Sequence, residues 1–424
     1  MREMRDSGIE WVGQIPKGWE LRRAKTLFTQ SNSKGNKIEV LLSPTQKYGV
    51  VPQSQLEGVV QVKEDTDLQM FKTIHKGDFV ISLRSFQGGF EYSLYEGVCS
   101  PAYQVFYPTS PICDTYYRYL FKSQSFISKM NNLTVGIREG KNIQYIDFAN
   151  SQIPVPPIAE QERIAAFLDA ECAKIDAVLE KTRASIEEYK KLKQAVITQA
   201  VTKGIRGDRP MKDSGIEWIG EIPAEWDVLN LVAHTSMLTP MRDRPENLDG
   251  PIPWVRIEDF EGKYIESSKA GLGVSMKTVK EMNLKVYPVG TILCTSSCIM
   301  GKCAIVSREL VSNQRFIGII PDRTTDKTYL YYLMTSNAER MNFLSTGALQ
   351  ANLSRSAFEH LKVQFPLYSE QQEIAAYLDD KCADIDALVA KKQQYLTEIE
   401  NYKKSLIYEY VTGKKEVKTS VLAN

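Results

Sequence analysis

The sequence predicts an α/β protein, more closely α+β. Two domains of mixed strands and short helices are separated by two long helices, which pair as an intramolecular antiparallel coiled coil with a pseudo-twofold relation between the halves. Three observations predict it. The phrase MRDSGIEWVGQIPKGWE at Met4 returns as MKDSGIEWIGEIPAEWD at Met211, 207 positions on. AEQERIAAFLDAECAKIDAVL from Ala159 returns as SEQQEIAAYLDDKCADIDALV from Ser369, 210 positions on. The stretches between these phrases, about 25–135 and 232–346, resemble each other little. The expected boundaries are 1–157 for the first mixed domain, 158–208 for the central helix, 209–367 for the second mixed domain and 368–424 for the C-terminal helix.

A chain of 424 residues exceeds what one hydrophobic core usually serves, so more than one domain is expected. With 43% hydrophobic and 25% charged residues, its composition is that of a soluble globular protein. The charged start, MREMRDSGIE, has no apolar core of a secretory signal, and nowhere do about 18 apolar residues run together as a membrane helix requires. Seven cysteines, an odd number, fit a reducing cytoplasm better than a disulfide framework. The net charge of +1 counts mildly against a solitary DNA binder, although binding depends on where the charges sit.

The repeated opener places Trp11, Trp19, Trp218 and Trp226 in the constant part of each half. Large aromatics there are expected to anchor domain to helix rather than to stack on bases. In the inserts, DFVISL, AYQVFYP, TILCTS, CAIVS and FIGIIP are β-branched or aromatic runs bounded by Gly, Pro, Ser and Asp, which predicts short strands. TYYRYLFKSQSFISKM and TYLYYLMTSNAERMNFL predict short helices. The inserts converge again where Gly136, Asn142 and Phe148 align with Gly347, Asn352 and Phe358.

After the proline-containing strips IPVPPI and VQFPLY, the chain runs through Ala, Glu, Lys, Gln and Leu without Pro or Gly until VTKG and VTGK, which is helix composition. Leu168, Ile175, Thr182, Tyr189 and Val196 recur every seven residues, as do Cys172, Leu179, Ile186, Lys193 and Ala200. The second helix repeats the pattern with Leu378, Ile385, Lys392, Ile399 and Leu406, and with Cys382, Val389, Leu396, Lys403 and Tyr410. This 4-3 spacing is a coiled-coil heptad, and its polar interruptions match between copies, as a register device would. A helix over 160–202 spans about 65 Å and would act as a spacer.

Catalytic motifs fail on spacing. GIREGKN has too few residues between its glycines for a phosphate loop and no Ser or Thr after the lysine, and IMGKC has Ser296 where the first glycine belongs. VPPI lacks the polar and aromatic residues that flank Pro-Pro in an amino-methyltransferase site. Cys294, Cys298 and Cys303 have no zinc-like spacing and no nearby histidine, so they are expected in the core and no metal site is expected. The three histidines, His75, His234 and His360, have no counterparts between the halves. Two alternatives stay open beside a DNA reader: an enzyme with a site hidden in the inserts, and a coiled-coil scaffold without a nucleic-acid role.

The two DSGIEW openers, the EQ..IA..LD….ID starts of the helices and the VTKG/VTGK exits resemble the specificity subunit of type I restriction-modification systems, over nearly the whole chain. LRSFQGGFEYS, SPAYQVF, GKCAIV and NQRFIGI resemble its target-recognition domains. The resemblance implies a non-catalytic reader of a bipartite, asymmetric target in double-stranded DNA. It implies two methyltransferase subunits docked on the coiled coil, with restriction subunits joining them. It places no cofactor in this chain, with S-adenosylmethionine, ATP and magnesium in the partners, no membrane, and a cytoplasmic location. Partner subunits sharing the phosphate contacts would explain the near-zero charge.

Base reading needs planar donors and acceptors: Arg for guanine, Asn or Gln for adenine, Ser or Thr for either. In the first insert the candidates are the glycine-flexed loop Arg84, Ser85, Phe86, Gln87 and Gly88, then Thr45, Gln46, Lys47 and Tyr48, and Arg138, Lys141 and Asn142. In the second they are Arg256, then Thr295, Ser296, Ser297 and Lys302, then Asn313, Gln314 and Arg315, and finally Gln350, Asn352 and Arg355. Asn142 and Asn352, common to both halves, suit a structural or phosphate-binding role.

Overall fold

The computed structural model describes residues 2–34, 40–56, 68–82, 89–133, 143–240, 244–297, 301–344 and 353–418. The chain forms two compact units, Met1–Arg183 with Gln394–Asn424, and Ala184–Gln393. This division cuts both long helices, so each unit owns half of each rather than leaving the helices as segments of their own.

In unit 1 the strands Phe28–Ser31, Gln104–Pro108, Phe79–Ile81 and Phe90–Tyr92 lie side by side in that order, all antiparallel. Helices α1 (Asp114–Lys122), α2 (Gln124–Leu133) and α3 (Tyr145–Asn150) follow in the chain. Phe28, Phe79, Phe90, Phe106, Phe121, Phe126 and Phe148 are buried together between sheet and helices. Their rings meet mostly edge-on or tilted, which aromatic quadrupoles favour. The strand Glu20–Arg23 pairs with Gln152–Val155, so the start and end of the domain close on each other just before helix α4 (Ile158–Lys203).

Unit 2 repeats this topology with different side chains. Strands Thr235–Leu238, Phe316–Pro321, Ile292–Thr295 and Cys303–Val306 take the same order and directions, with Tyr264–Ile265 added in parallel at the edge. The register matches at an offset of 213: Phe79 pairs with Tyr92 as Ile292 pairs with Ile305, and Phe106 pairs with Phe79 as Ile319 pairs with Ile292. The inserts that look unrelated in sequence therefore share one sheet. Burial constrains these positions to be apolar, and Phe satisfies that in unit 1 as Ile and Cys do in unit 2. A further sheet of Gly273–Val274, Ile252–Val255 and Val311–Ser312 belongs to unit 2. Its helices are α5 (Met276–Glu281), α6 (Lys327–Ser336), α7 (Ala338–Leu344), α8 (Arg355–Glu359) and α9 (Tyr368–Val411). Each long stretch predicted as one short helix is broken in two, at Ser123 in unit 1 and at Asn337 in unit 2.

Helix α4 has 46 residues, about 69 Å of helix, and α9 has 44. In unit 1, Leu168, Cys172, Ile175 and Leu179 are buried on α4, and Leu406 and Val411 on α9. Asp176 pairs with Lys403 at 2.6 Å and Arg183 with Glu400 at 2.6 Å, so the halves run antiparallel. In unit 2, Lys193 pairs with Asp386 at 2.6 Å, and its Tyr189 ring lies 5.5 Å from the Lys392 ammonium, again antiparallel. The heptad interruptions thus acquire partners: the lysines at 193 and 403 reach across to an aspartate, and Thr182 donates back to the Val178 carbonyl at 2.8 Å. Toward the end of α4 the seam drifts by one position, and Ile197 is buried where the heptad marks the half-buried Val196.

Candidate nucleic-acid interface

Each unit is mounted on its long helices by the same set of bonds, made from the repeated phrases. Trp19 is buried and donates from Nε1 to Glu160 of α4 at 3.0 Å, and Trp226 does the same to Glu370 of α9 at 3.0 Å. Arg2 completes the first set by pairing with Glu160 at 2.6 Å and lying 5.2 Å from the Trp19 ring. Arg209 completes the second, with 2.5 Å to Glu370 and 5.1 Å to Trp226. Next along, Gln161 accepts from the Cys113 amide and donates to the Pro156 carbonyl, and Gln371 accepts from the Asp326 amide and donates to the Pro366 carbonyl. The EQ pair in the helix phrase is therefore a joint between domain and helix. Its role is invisible in sequence because Trp19 lies 141 residues from Glu160. Two of the four frame tryptophans depart from the expected burial. Trp11 is half-buried against Phe126, and Trp218 is 42% exposed, with the Arg340 guanidinium 3.8 Å from its ring centroid.

The candidate readers gather on connections between strands. In unit 1, Thr45, Gln46, Lys47 and Tyr48 form the turn between strands Leu42–Thr45 and Gly49–Pro52. The Thr45 hydroxyl accepts from the Tyr48 amide and donates to the Gly49 carbonyl, leaving Lys47 and Tyr48 exposed with the ammonium 4.8 Å from the ring. Gly49 is required here: its φ is +74°, and a Cβ would meet the Tyr92 carbonyl oxygen at 2.8 Å. Arg84, Ser85, Phe86, Gln87, Gly88, Arg138, Lys141, Asn142, Gln350 and Asn352 lie outside the described residues.

In unit 2, Asn313, Gln314, Arg315 and Arg256 come together with Arg244, Trp254 and Glu258 around a cleft of about 370 Å³. Asn313 Oδ1 accepts from the Arg315 amide, and the Arg315 carbonyl accepts from the Ser296 amide at 2.8 Å. The Ser296 carbonyl in turn accepts from the Leu353 amide, so three separated segments meet at one end of the sheet. Arg244 escaped the sequence reading; an arginine two residues after another in MRDRPE was the signal available.

Two expected readers are buried. Thr295 is fully buried, and its hydroxyl donates to the Lys302 carbonyl and accepts from the Lys302 amide across the hairpin. Ser297 is 8% exposed. Ser296 contributes its backbone as described, Lys302 is exposed with its ammonium 5.9 Å from the Phe260 ring, and Arg355 pairs with Glu359 of its own helix. Cys294 and Cys303 face each other in the sheet interior, where burial and then the neighbouring thiol hold Cys294 well above the ordinary thiol range. Cys298 lies outside the described residues. Among the described residues no cluster of His, Cys, Asp and Glu could hold a metal ion, and no helix is long and apolar enough to cross a membrane.

The type I restriction modification DNA specificity domain matches this chain twice, over residues 16–188 and 227–400. The putative type I restriction enzyme MjaX specificity subunit of Methanocaldococcus jannaschii is 24% identical over 432 residues, 96% of each chain. The MjaIX specificity subunit of the same organism is 36% identical over 173 residues, 38% of this chain and two fifths (40%) of that relative's length. A chain from a structure of complex assembly and conformational transition in a type I R-M system aligns with a TM-score of 0.73 at 14% identity, covering 95% of this chain and 99% of that one. The HsdS subunit from Thermoanaerobacter tengcongensis aligns with a TM-score of 0.52 at 14% identity, over 97% and 100%. At such identities the structural likeness carries the fold.

Proposed function

Because this chain belongs to the type I restriction-modification DNA specificity family, we propose that it is the DNA-reading subunit of such a complex, with each unit reading one half of a split, asymmetric target. The observation that carries the reading is the contrast within each unit. One sheet topology and one set of helix joints occur twice, whereas the polar residues on the connecting loops differ: Trp254 pairs with Val311 as Leu41 bridges Val98, yet Arg256 and Asn313–Arg315 follow in unit 2 where Ser43 and Ser100–Ala102 follow in unit 1. A fixed mounting with an exchangeable reading surface suits a protein that must change what it reads without changing what it assembles with.

The chain performs no catalysis itself. Adenine methylation would come from two methyltransferase subunits that carry S-adenosylmethionine, and restriction from further subunits that use ATP and magnesium, all working in the cytoplasm. The long helices would supply both the spacing between half-sites and the surface on which the methyltransferase subunits dock. Shared phosphate contacts across that assembly fit a chain whose own net charge is +1.

The test is an exchange of residues 25–135 for the matching insert of a relative, in cells carrying the partner subunits, followed by single-molecule sequencing of methylated adenines. One half of the methylated motif should change and the other should stay. Changes in both halves, or loss of methylation with intact expression, would count against the reading.

A further inference from the structure

Resting on that reading, we infer that unit 2 recognises a guanine in its half-site through Arg256, and that Arg244 and Arg315 grip the flanking phosphates. The cleft that these residues share carries three guanidinium groups against one lining carboxylate, Glu258, a surplus of two positive charges in a chain whose total is +1. Such a concentration calls for an anionic or acceptor-rich ligand. The three arginines are not equivalent. Arg256 is held: its backbone amide donates to Asp259 Oδ2 at 2.7 Å, and its guanidinium meets Glu258 at 3.0 Å. Asp259 is itself buried, fixed by the Lys269 amide at 2.9 Å, and the Trp254 side chain in the wall of the cleft is 5% exposed. The Arg256 Nε is buried without a hydrogen-bond partner, and the side chain, 32% exposed, lines the cleft.

With its backbone amide on Asp259, Nε buried and Nη1 held by Glu258, Arg256 is left with the Nη1–Nη2 edge of its guanidinium to turn toward the cleft. A fork so placed matches the adjacent O6 and N7 acceptors of guanine, and loses little freedom on binding. Arg244 and Arg315 are exposed, Arg244 with its guanidinium 5.8 Å from the Trp254 ring. Long exposed arginines suit a phosphate, which accepts a charge from many directions. Asn313 is not free to read adenine bidentately, because its Oδ1, which would accept from N6, is spent on the Arg315 amide.

The test uses the complex with its methyltransferase subunits, read by methylome sequencing and by binding to duplexes carrying the methylated motif across a salt series. Arg256→Ala should relax one guanine position in the second half-site, with discrimination there falling about 10–100-fold, and leave the first half-site intact. Arg256→Lys, which keeps the charge and removes the fork, should relax the same position and guards against a folding defect in the alanine variant. Replacing that guanine by 7-deazaguanine removes N7 and should weaken wild-type binding while leaving Arg256→Ala unaffected. Arg244→Ala and Arg315→Ala should weaken binding to all sequences alike and lower the salt slope by about 0.9 for each phosphate that is no longer neutralised. An Arg256→Ala complex that keeps the full motif, with or without a lower salt slope, overturns the inference and leaves the proposed function standing. A wild-type complex that methylates no split motif would instead overturn the proposed function.

Discussion

In unit 1 the carbonyl of Val411, near the end of a long helix, accepts from the Tyr116 hydroxyl at 2.7 Å. In unit 2 the matching carbonyl, that of Val201, accepts from the Gln364 side chain at 2.6 Å. Residue 154, which matches 364, is proline and cannot donate, so unit 1 meets the same demand from a different element. The tryptophan–glutamate–arginine joint, by contrast, is built from identical residues in both units. The difference separates two kinds of constraint. A buried carbonyl asks only for some donor, and many side chains can supply one. A joint in which one carboxylate serves an indole and a guanidinium fixes all three residues, and these are the ones the chain repeats.

The strongest way to break the comparison is at the joint. The Glu370 and Arg209 side chains are 5% and 10% exposed, and Glu160 and Arg2 are 13% and 20% exposed. Glu370→Ala should cost about 2–4 kcal/mol, because it leaves a fully buried indole unpaired and Arg209 with only the longer contacts to Glu225 and the Lys203 carbonyl at 3.2 Å, and Glu160→Ala roughly 1–3 kcal/mol. Urea unfolding of the two variants measures this, and equal losses would mean that burial does not distinguish the joints.

A second contrast lies in the sheets. Unit 1 buries Glu91 fully where unit 2 has Ala304 at the matching register position. Burial pushes the Glu91 carboxyl up to about 7, with the Lys122 ammonium at 2.6 Å drawing it back. A carboxyl that protonates more readily in the folded chain stabilises it at low pH. The contribution is full below its ordinary value of 4.5 and is lost as pH rises through about 7. Glu91→Gln should therefore stabilise the protein at pH 8 by on the order of 1–3 kcal/mol and change little at pH 4. Unfolding midpoints that shift equally at both pH values would refute this assignment.

The smallest effect is expected from the lysine–aspartate pairs along the helices, Lys193 with Asp386 and Lys403 with Asp176, whose aspartates are 60% and 57% exposed. Double-mutant cycles should return coupling of about 0.2–1 kcal/mol for either pair, falling in high salt. A much larger value in one pair alone would sharpen the comparison by showing that the units differ along the helices as well.

The repeats made the frame legible in the sequence, and heptad spacing made the long helices legible, because both are periodic signals. The strands of the inserts were legible as apolar runs, but their shared register was not. Phe79 and Ile292 look unrelated until the pairing shows them at one position. At the candidate interface, Arg256 and the Asn313–Arg315 run could be picked by chemistry alone. Thr295 could not be set aside, because a threonine at the end of a strand reads the same whether it faces solvent or, as here, the hairpin behind it. Arg244 and Glu258 became relevant only when the fold brought them beside residues some 60 positions away.

Unit 2 is one continuous stretch of chain, whereas unit 1 joins residues 1–183 to residues 394–424. On the ribosome the second-born unit is therefore the first that can be completed. Unit 1 must wait while 228 residues (411 − 183) are added before Val411 is made, roughly 11–46 s at ordinary elongation rates. Throughout that interval Leu168, Ile175 and Leu179 of the nascent chain lack the α9 residues of their own unit, such as Leu406 and Val411, that cover them in the finished protein. A chain that stops before Leu406 leaves that apolar seam without its α9 cover.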